Sequence, residues 1–152
     1  MRISFGCDAC AIGLKHELIE YAKTLGHTCH DCGITEGEPN DYPVFAARAA
    51  RFVQSGDCAL GVVLCGTGVG VSIAANKLRG IRCALAHDSY TARMTRAHND
   101  ANMLALGARV IGPELAKSIL YEFLKTPYEG GRHQRRMELV ARLEAGEPIE
   151  FA

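Results

Sequence analysis

The chain has 152 residues, the length of one ordinary domain, and 48% of them are apolar, enough to bury a core. Lys and Arg number 17 and Asp and Glu number 17, so the formal charge is zero. With no basic run, nothing in the chain suits nucleic acid or an anionic membrane surface. No apolar stretch approaches the ~20 residues of a membrane-spanning helix. The N-terminal residues Met1 to Gly6 lack the charged-then-apolar run of a secretory signal, so a soluble cytoplasmic domain is expected.

In chain order, short apolar runs alternate with amphipathic helices. Ile3 to Gly6 reads as a first strand. Leu14, Leu18, Ala22 and Leu25 recur at helical spacing, and Gly26 stops that helix. His27 to Cys32 is a second, weaker strand. Gly33 to Asp41 has the composition of a loop. Val44 to Val53 is an alanine-rich helix closed by Gly56. Ala59 to Leu64 is continuously apolar, as a buried parallel strand is. A glycine loop, Cys65 to Gly70, leads into a helix over Val71 to Leu78. Ile81 to Ala86 is a fourth strand, Ser89 caps a helix running to about Ala97, and Asn102 to Leu106 is a fifth strand. Gly112-Pro113-Glu114 opens a long helix with Pro at its favoured first position. Tyr128 to Gly131 breaks the chain before a charged last helix, Arg132 to Leu143.

This alternation predicts an α/β fold: a doubly wound, Rossmann-like, five-stranded parallel sheet with helices on both faces and an extra C-terminal helix. Without a linker or internal repeat, residues 1–152 read as a single domain. Ligands of such folds sit beyond the C-terminal ends of the strands. That edge would gather Asp8, Cys65 and His87, which follow strands one, three and four.

The strongest local signal is Cys65-Gly66-Thr67-Gly68-Val69-Gly70 between a strand and a helix. Its glycines let several N–H groups turn inward around an anion or a developing oxyanion. The start of the following helix favours a thiolate at Cys65, suited to nucleophilic attack or proton abstraction. The alternative is a packing cysteine before an ordinary turn. The loop is not a dinucleotide fingerprint, which needs G-x-G-x-x-G after the first strand. It lacks the Lys-Ser or Lys-Thr of a P-loop, and the nearby Arg of a cysteine phosphatase. His98, in Arg96-Ala97-His98-Asn99-Asp100, is a candidate acid or base, or else a solvated helix-end residue. Arg132 and Arg136 share a helix face after Gly130-Gly131 and could clamp a phosphate. They could equally belong to a solvated helix and pair with Glu138 and Glu144. Arg109 is a further candidate, because its neighbours Ala108, Val110 and Ile111 look buried.

The seven cysteines are odd in number, so reduced thiols are expected. Cys7, Cys10, Cys29 and Cys32 fit a C-x2-C-x18-C-x2-C zinc spacing. Their places at strand ends favour small buried side chains instead.

Together, Gly6-Cys7-Asp8, Asp41-Tyr42-Pro43, the Cys65–Gly70 loop, Ala74-Ala75-Asn76-Lys77, His98-Asn99-Asp100, Gly107-Ala108-Arg109 and Gly130-Gly131-Arg132-His133 form an ordered set. In this set the chain resembles type B ribose-5-phosphate isomerases, within the wider group that includes galactose-6-phosphate isomerase. The resemblance spans nearly the whole chain. It implies a cytoplasmic homodimer, sometimes a tetramer, whose active sites are shared between subunits and need no cofactor or metal. The last helix would reach onto the partner. The implied substrate is a phosphorylated sugar of the pentose phosphate type, ribose 5-phosphate first. His98 would assist ring opening, Asp8 would bind sugar hydroxyls, and Cys65 would carry the proton between C2 and C1. Thr67 with the Gly66, Gly68 and Gly70 amides would hold the enediolate oxygen. Arg109, Arg132, His133 and Arg136 would hold the phosphate, with Tyr42 and Asn99 on the sugar. Members lacking the cysteine use a Glu just after the loop; here Val71 stands there. One departure matters: typical members read Gly-Cys-Asp-His, and here the fourth residue is Ala9. That keeps four-carbon and six-carbon sugar phosphates open as substrates, beside a non-catalytic sugar-phosphate sensor.

Overall fold

The computed structural model describes residues 1–34 and 38–150. The loop expected over Gly33 to Asp41 lies partly outside them. Five strands form one parallel sheet: β1 (Arg2–Cys7), β2 (Thr28–Asp31), β3 (Leu60–Cys65), β4 (Cys83–Leu85) and β5 (Met103–Gly107). Their order is β2-β1-β3-β5-β4, and every pairing is parallel. The helices are α1 (Ile12–Thr24), α2 (Tyr42–Gln54), α3 (Val69–Ala75), α4 (Ser89–Asn99), α5 (Pro113–Lys125) and α6 (Arg132–Glu144). A short 3-10 turn, Ala9–Ala11, joins β1 to α1. The doubly wound sheet expected from the sequence is therefore present.

Alternation along the strands divides the core into two layers. Val62 and Leu64 of β3 pack with Phe5, Leu104 and Leu106 beneath Leu18, Ile119 and Phe123 of α1 and α5. Val63 and Cys65 face the other way, with Met103 and Ala105, toward Ala46, Ala49, Ala50 and Val71 of α2 and α3. The small α2 residues let that helix come close. A Cβ on Gly6 would lie 2.5 Å from the Phe45 carbonyl oxygen, so only glycine fits where α2 crosses β1.

Some boundaries differ from expectation, each for a local reason. Asp88, not Ser89, caps α4: its carboxylate accepts the Thr91 backbone N–H at 2.7 Å and the Thr91 hydroxyl at 2.7 Å. These bonds hold the Asp88 carboxyl below its ordinary range. Helix α3 starts at Val69, two residues early, because Gly68 takes φ 78° and turns the chain at once. The connection after β3 is thus Gly66, Thr67 and Gly68 alone. Val110 is exposed, unlike its buried neighbour Ile111.

The strand order reverses between β1 and β3. From β1 the chain first adds β2 on one side, then crosses to β3 on the other. The C-terminal ends of β1 and β3 therefore flank the crevice at the topological switch point, the usual ligand position in such sheets.

Candidate active site

Asp8 and Cys65 lie side by side at that crevice. Cys7 is in register with Leu64, and the Asp8 N–H bonds the Leu64 carbonyl at 3.2 Å. Asp8 then caps the 3-10 turn by accepting the Cys10 N–H at 3.1 Å. Cys65 is 6% exposed, and its Sγ accepts the Gly68 N–H at 3.2 Å. The thiol thus sits at the end of a buried strand, held by the amide that its own loop presents. Thr67 is exposed, and its Oγ1 accepts the Val69 N–H at 3.3 Å.

Three close approaches shape the loop. A Cβ on Gly70 would meet the Tyr42 ring at 2.8 Å, so Tyr42 at the start of α2 lies directly against α3. A Cβ on Gly107 would lie 2.8 Å from the Thr67 carbonyl and 2.9 Å from His87 Nε2. Over Gly66, the Arg109 side chain and the Cys10 thiol stand 3.5 Å and 3.7 Å from the Cβ position. The Arg109 N–H bonds the Gly66 carbonyl at 3.0 Å, tying the cation to the loop. Asp8, Tyr42, Cys65, Gly66, Thr67, Gly68, Gly70 and Arg109 are therefore brought to one edge.

His98, Asn99, Arg132, His133 and Arg136 are not at that edge. Helix α4 starts beyond the C-terminal end of β4 and runs back to the start of β5. Its 11 residues cover roughly 16 Å, so His98 lies at the N-terminal edge of the sheet. There the His98 and His133 rings stack, with centroids 4.1 Å apart and planes 7° apart. Glu129 Oε2 is 3.8 Å from Nε2 of each ring. Arg132 Nε donates to His133 Nε2 at 3.3 Å. Burial, and then the neighbouring His98, Arg132 and Arg136 charges, hold His133 below the ordinary histidine value.

Helix α6 is anchored to its own chain at both ends. His133 is stacked on His98, and the Gly80 N–H donates to both Glu144 oxygens at 2.9 and 3.0 Å. Glu138 accepts from Gln134 instead of an arginine. Among the described residues, neither glutamate takes up Arg132 or Arg136, whose side chains line an open depression with Arg135 and Leu139.

A pH dependence follows from His133. Its folded pKa is lowered, so the unfolded chain binds the proton first as pH falls. Stability that is full above the unfolded value, near 6.5, is expected to decline as pH drops through it. Thermal unfolding of the wild type between pH 7.5 and 5.5 should show this decline, and His133→Gln should flatten it.

Among the described residues, the two cysteine pairs are not gathered into one donor cluster. Among the described residues the one cluster of three potential donors is His98, Glu129 and His133, with no cysteine in it. Burial pushes the Cys7 and Cys32 thiols up to about 11 and Cys83 up to about 12, as in inert packing thiols. Cys10 departs from the expected burial: it is exposed beside Asp8 and Arg109. Sequence reasoning also missed Glu129. Its spacing of four from His133 was visible, but its nearness to His98 requires the α5–α6 connection to cross the end of α4.

Comparison with known proteins gives the arrangement its context. Residues 3–140 match the family model described as Ribose/Galactose Isomerase. The chain belongs to that family. It is 46% identical over 143 residues to ribose-5-phosphate isomerase B of Escherichia coli, covering 94% of this chain and 96% of that protein. It is 41% identical over 145 residues to D-erythrulose-4-phosphate isomerase of Pectobacterium atrosepticum, covering 95% of each. The crystal structure of ribose-5-phosphate isomerase B from Mycoplasma genitalium with bound ribulose-5-phosphate superposes with a TM-score of 0.89 at 39% identity. That match covers 95% of this chain and 96% of the other.

Proposed function

We propose that this chain is an aldose–ketose isomerase of a phosphorylated sugar, with ribose 5-phosphate and ribulose 5-phosphate as its first substrate pair. The whole chain, residues 1–152, acts as one domain. The observation that carries the reading is the Cys65 thiol at the β1/β3 crevice, fixed by the Gly68 amide and flanked by Asp8. Family membership supplies the reaction class.

In this reading the site is completed by a second copy of the chain. Cys65 and His98 lie at opposite sheet edges of one protomer, too far apart to serve one small sugar. A two-fold pair can bring the His98 edge of one copy to the Cys65 edge of the other. His98 then moves a proton between the anomeric hydroxyl and the ring oxygen, opening the ring. Asp8, Tyr42 and Asn99 hold the sugar hydroxyls. The Cys65 thiolate takes the C2 proton, and the electron pair moves into the C1–C2 bond as the C1 carbonyl oxygen becomes anionic. The amides of Gly66, Gly68 and Gly70 and the Thr67 hydroxyl face that charge. The thiol returns its proton to C1 while the C2 hydroxyl proton passes to O1, leaving a ketone at C2. Arg109, Arg132, His133 and Arg136 receive the phosphate.

A four-carbon or six-carbon substrate is the second reading, which Ala9 keeps open. The residue is exposed, and its N–H is held by Asn40 Oδ1 at 2.8 Å, leaving a methyl group where the resemblance implies an imidazole. The test is exchange at C2 in deuterated water, followed by NMR over a panel of four-, five- and six-carbon aldose phosphates. Exchange fastest with ribose 5-phosphate supports the first choice. Binding with no exchange for any sugar would mark a sensor and overturn the isomerase reading. Arg136→Ala should raise KM for the phosphorylated sugar by about 10–100-fold, the weight of a charge-assisted contact, with a smaller change in kcat. An unchanged KM removes Arg136 from the phosphate site.

A further inference from the structure

The cluster at the N-terminal edge holds more than a proton-transfer histidine requires. His98, Glu129 and His133 each present one donor atom, and these atoms all lie within 4.8 Å of one another. Glu129 Oε2 is 3.8 Å from both imidazole Nε2 atoms. Two imidazoles and a carboxylate are the donor set that zinc and its first-row neighbours prefer, with metal–ligand distances of about 2.0–2.2 Å. The two rings are stacked with their planes 7° apart, so both nitrogens reach one cation only after the less buried ring, His98, turns out of the stack toward Glu129. Glu129 is more than half exposed and free to move, while His133 is fixed by burial.

We propose that His98, Glu129 and His133 form a binding site for a borderline-soft divalent cation such as Zn2+, and that occupancy inhibits the enzyme by withholding His98 from the sugar. The inhibition rests on the ring-opening role given to His98; the cation site does not. Both imidazoles must be neutral to bind a cation, so binding strengthens as pH rises through the ordinary histidine range.

Arg132 sets the threshold of this site. Its Nε donates to His133 Nε2 at 3.3 Å, occupying the lone pair that the cation needs. The Arg132 side chain is exposed and can swing away, so the cation and the guanidinium compete for one nitrogen. The positive charges of Arg132 and Arg136 oppose the cation further. The site is therefore weak in the resting protein and gains when Arg132 is removed.

Co2+ is the probe, because its spectrum separates this site from the seven thiols of the chain. Titration of the purified wild-type protein at pH 7.5 should give one Co2+ per chain, with d–d bands and no thiolate charge-transfer band. Glu129→Gln should weaken binding by about tenfold or more, and Arg132→Ala should strengthen it. A thiolate charge-transfer band, or binding indifferent to both substitutions, overturns the site. Turnover should fall as the site fills and return with a chelator. If Co2+ binds as described while turnover is unaffected, the inhibitory half of the proposal fails and His98 loses its ring-opening role. The cation site itself then stands.

Discussion

Cys65→Ala is expected to abolish C2 exchange and to lower kcat by about 10²–10⁴-fold, the range for loss of a positioned base. The substitution removes one sulfur at the end of β3. It leaves the strand, its pairing to β5 and the Arg109 tie to Gly66 untouched. The Gly68 N–H loses its Sγ acceptor, so a modest loss of stability of about 1 kcal/mol accompanies the change. KM for the sugar phosphate should stay within about threefold, because Asp8 and the arginines remain. Stopped exchange with retained binding separates a base from a packing cysteine: a packing residue would shift the melting temperature and spare the chemistry. Cys65→Ser tests the same point from another side. The hydroxyl keeps the hydrogen-bond acceptor but has a far higher pKa, so activity should remain low although stability is restored.

The second large effect is expected at Gly68. The residue sits at φ 78°, where an L side chain costs about 1–2 kcal/mol. An added Cβ would also lie 2.5 Å from Leu85 Cδ1 and 2.9 Å from the Leu106 carbonyl carbon. The side chain could yield; the β5 backbone cannot, and overpacking of this kind costs about 1–3 kcal/mol. The loop would then lift away from β5 and take the Gly68 amide off Cys65. Gly68→Ala should lower kcat by about 10²-fold, the cost of displacing a catalytic group by about an ångström, and lower the melting temperature. Gly130→Ala is the control. Its φ is 64°, also left-handed, but a Cβ there meets nothing within 4 Å. It should cost stability alone and spare the exchange step. Equal losses of kcat in both variants would contradict the close-packing account of the loop.

Much of this architecture was legible in the residues themselves. Ala59 to Leu64 reads as a buried parallel strand because it is apolar on both faces, and β3 lies in the middle of the sheet. Gly112-Pro113 marked the start of α5 for a backbone reason that no tertiary contact alters. Caps and helix starts were harder. Asp88 and Ser89 are both good caps, and the choice falls to Asp88 because its carboxylate reaches both the Thr91 N–H and hydroxyl. The early start of α3 depends on the left-handed turn at Gly68, which packs against the Leu85 side chain of β4 and the Leu106 backbone of β5, both distant in sequence.

The candidate site was legible as a set of residues and not as a place. The motifs singled out Cys65, His98 and the arginines without showing that α4 carries His98 away from Cys65. That separation follows from helix length and strand direction, which become definite only once the sheet order is known. Glu129 escaped notice, and Cys10 was expected to be buried, because their neighbours come from other elements: His98 for the first, Gly66 and Arg109 for the second.

Subunit complementation tests the central claim most directly. Cys65→Ala and His98→Asn are each prepared as pure protein, mixed in equal amounts, dissociated and reassembled, with mixed dimers counted by native mass spectrometry. If Cys65 of one copy works with His98 of the other, each parent is inactive. The mixture should then recover about a quarter of wild-type activity, since half the dimers hold one intact site of two. Mixed dimers that form in the expected proportion and remain inactive would contradict a site built from two chains.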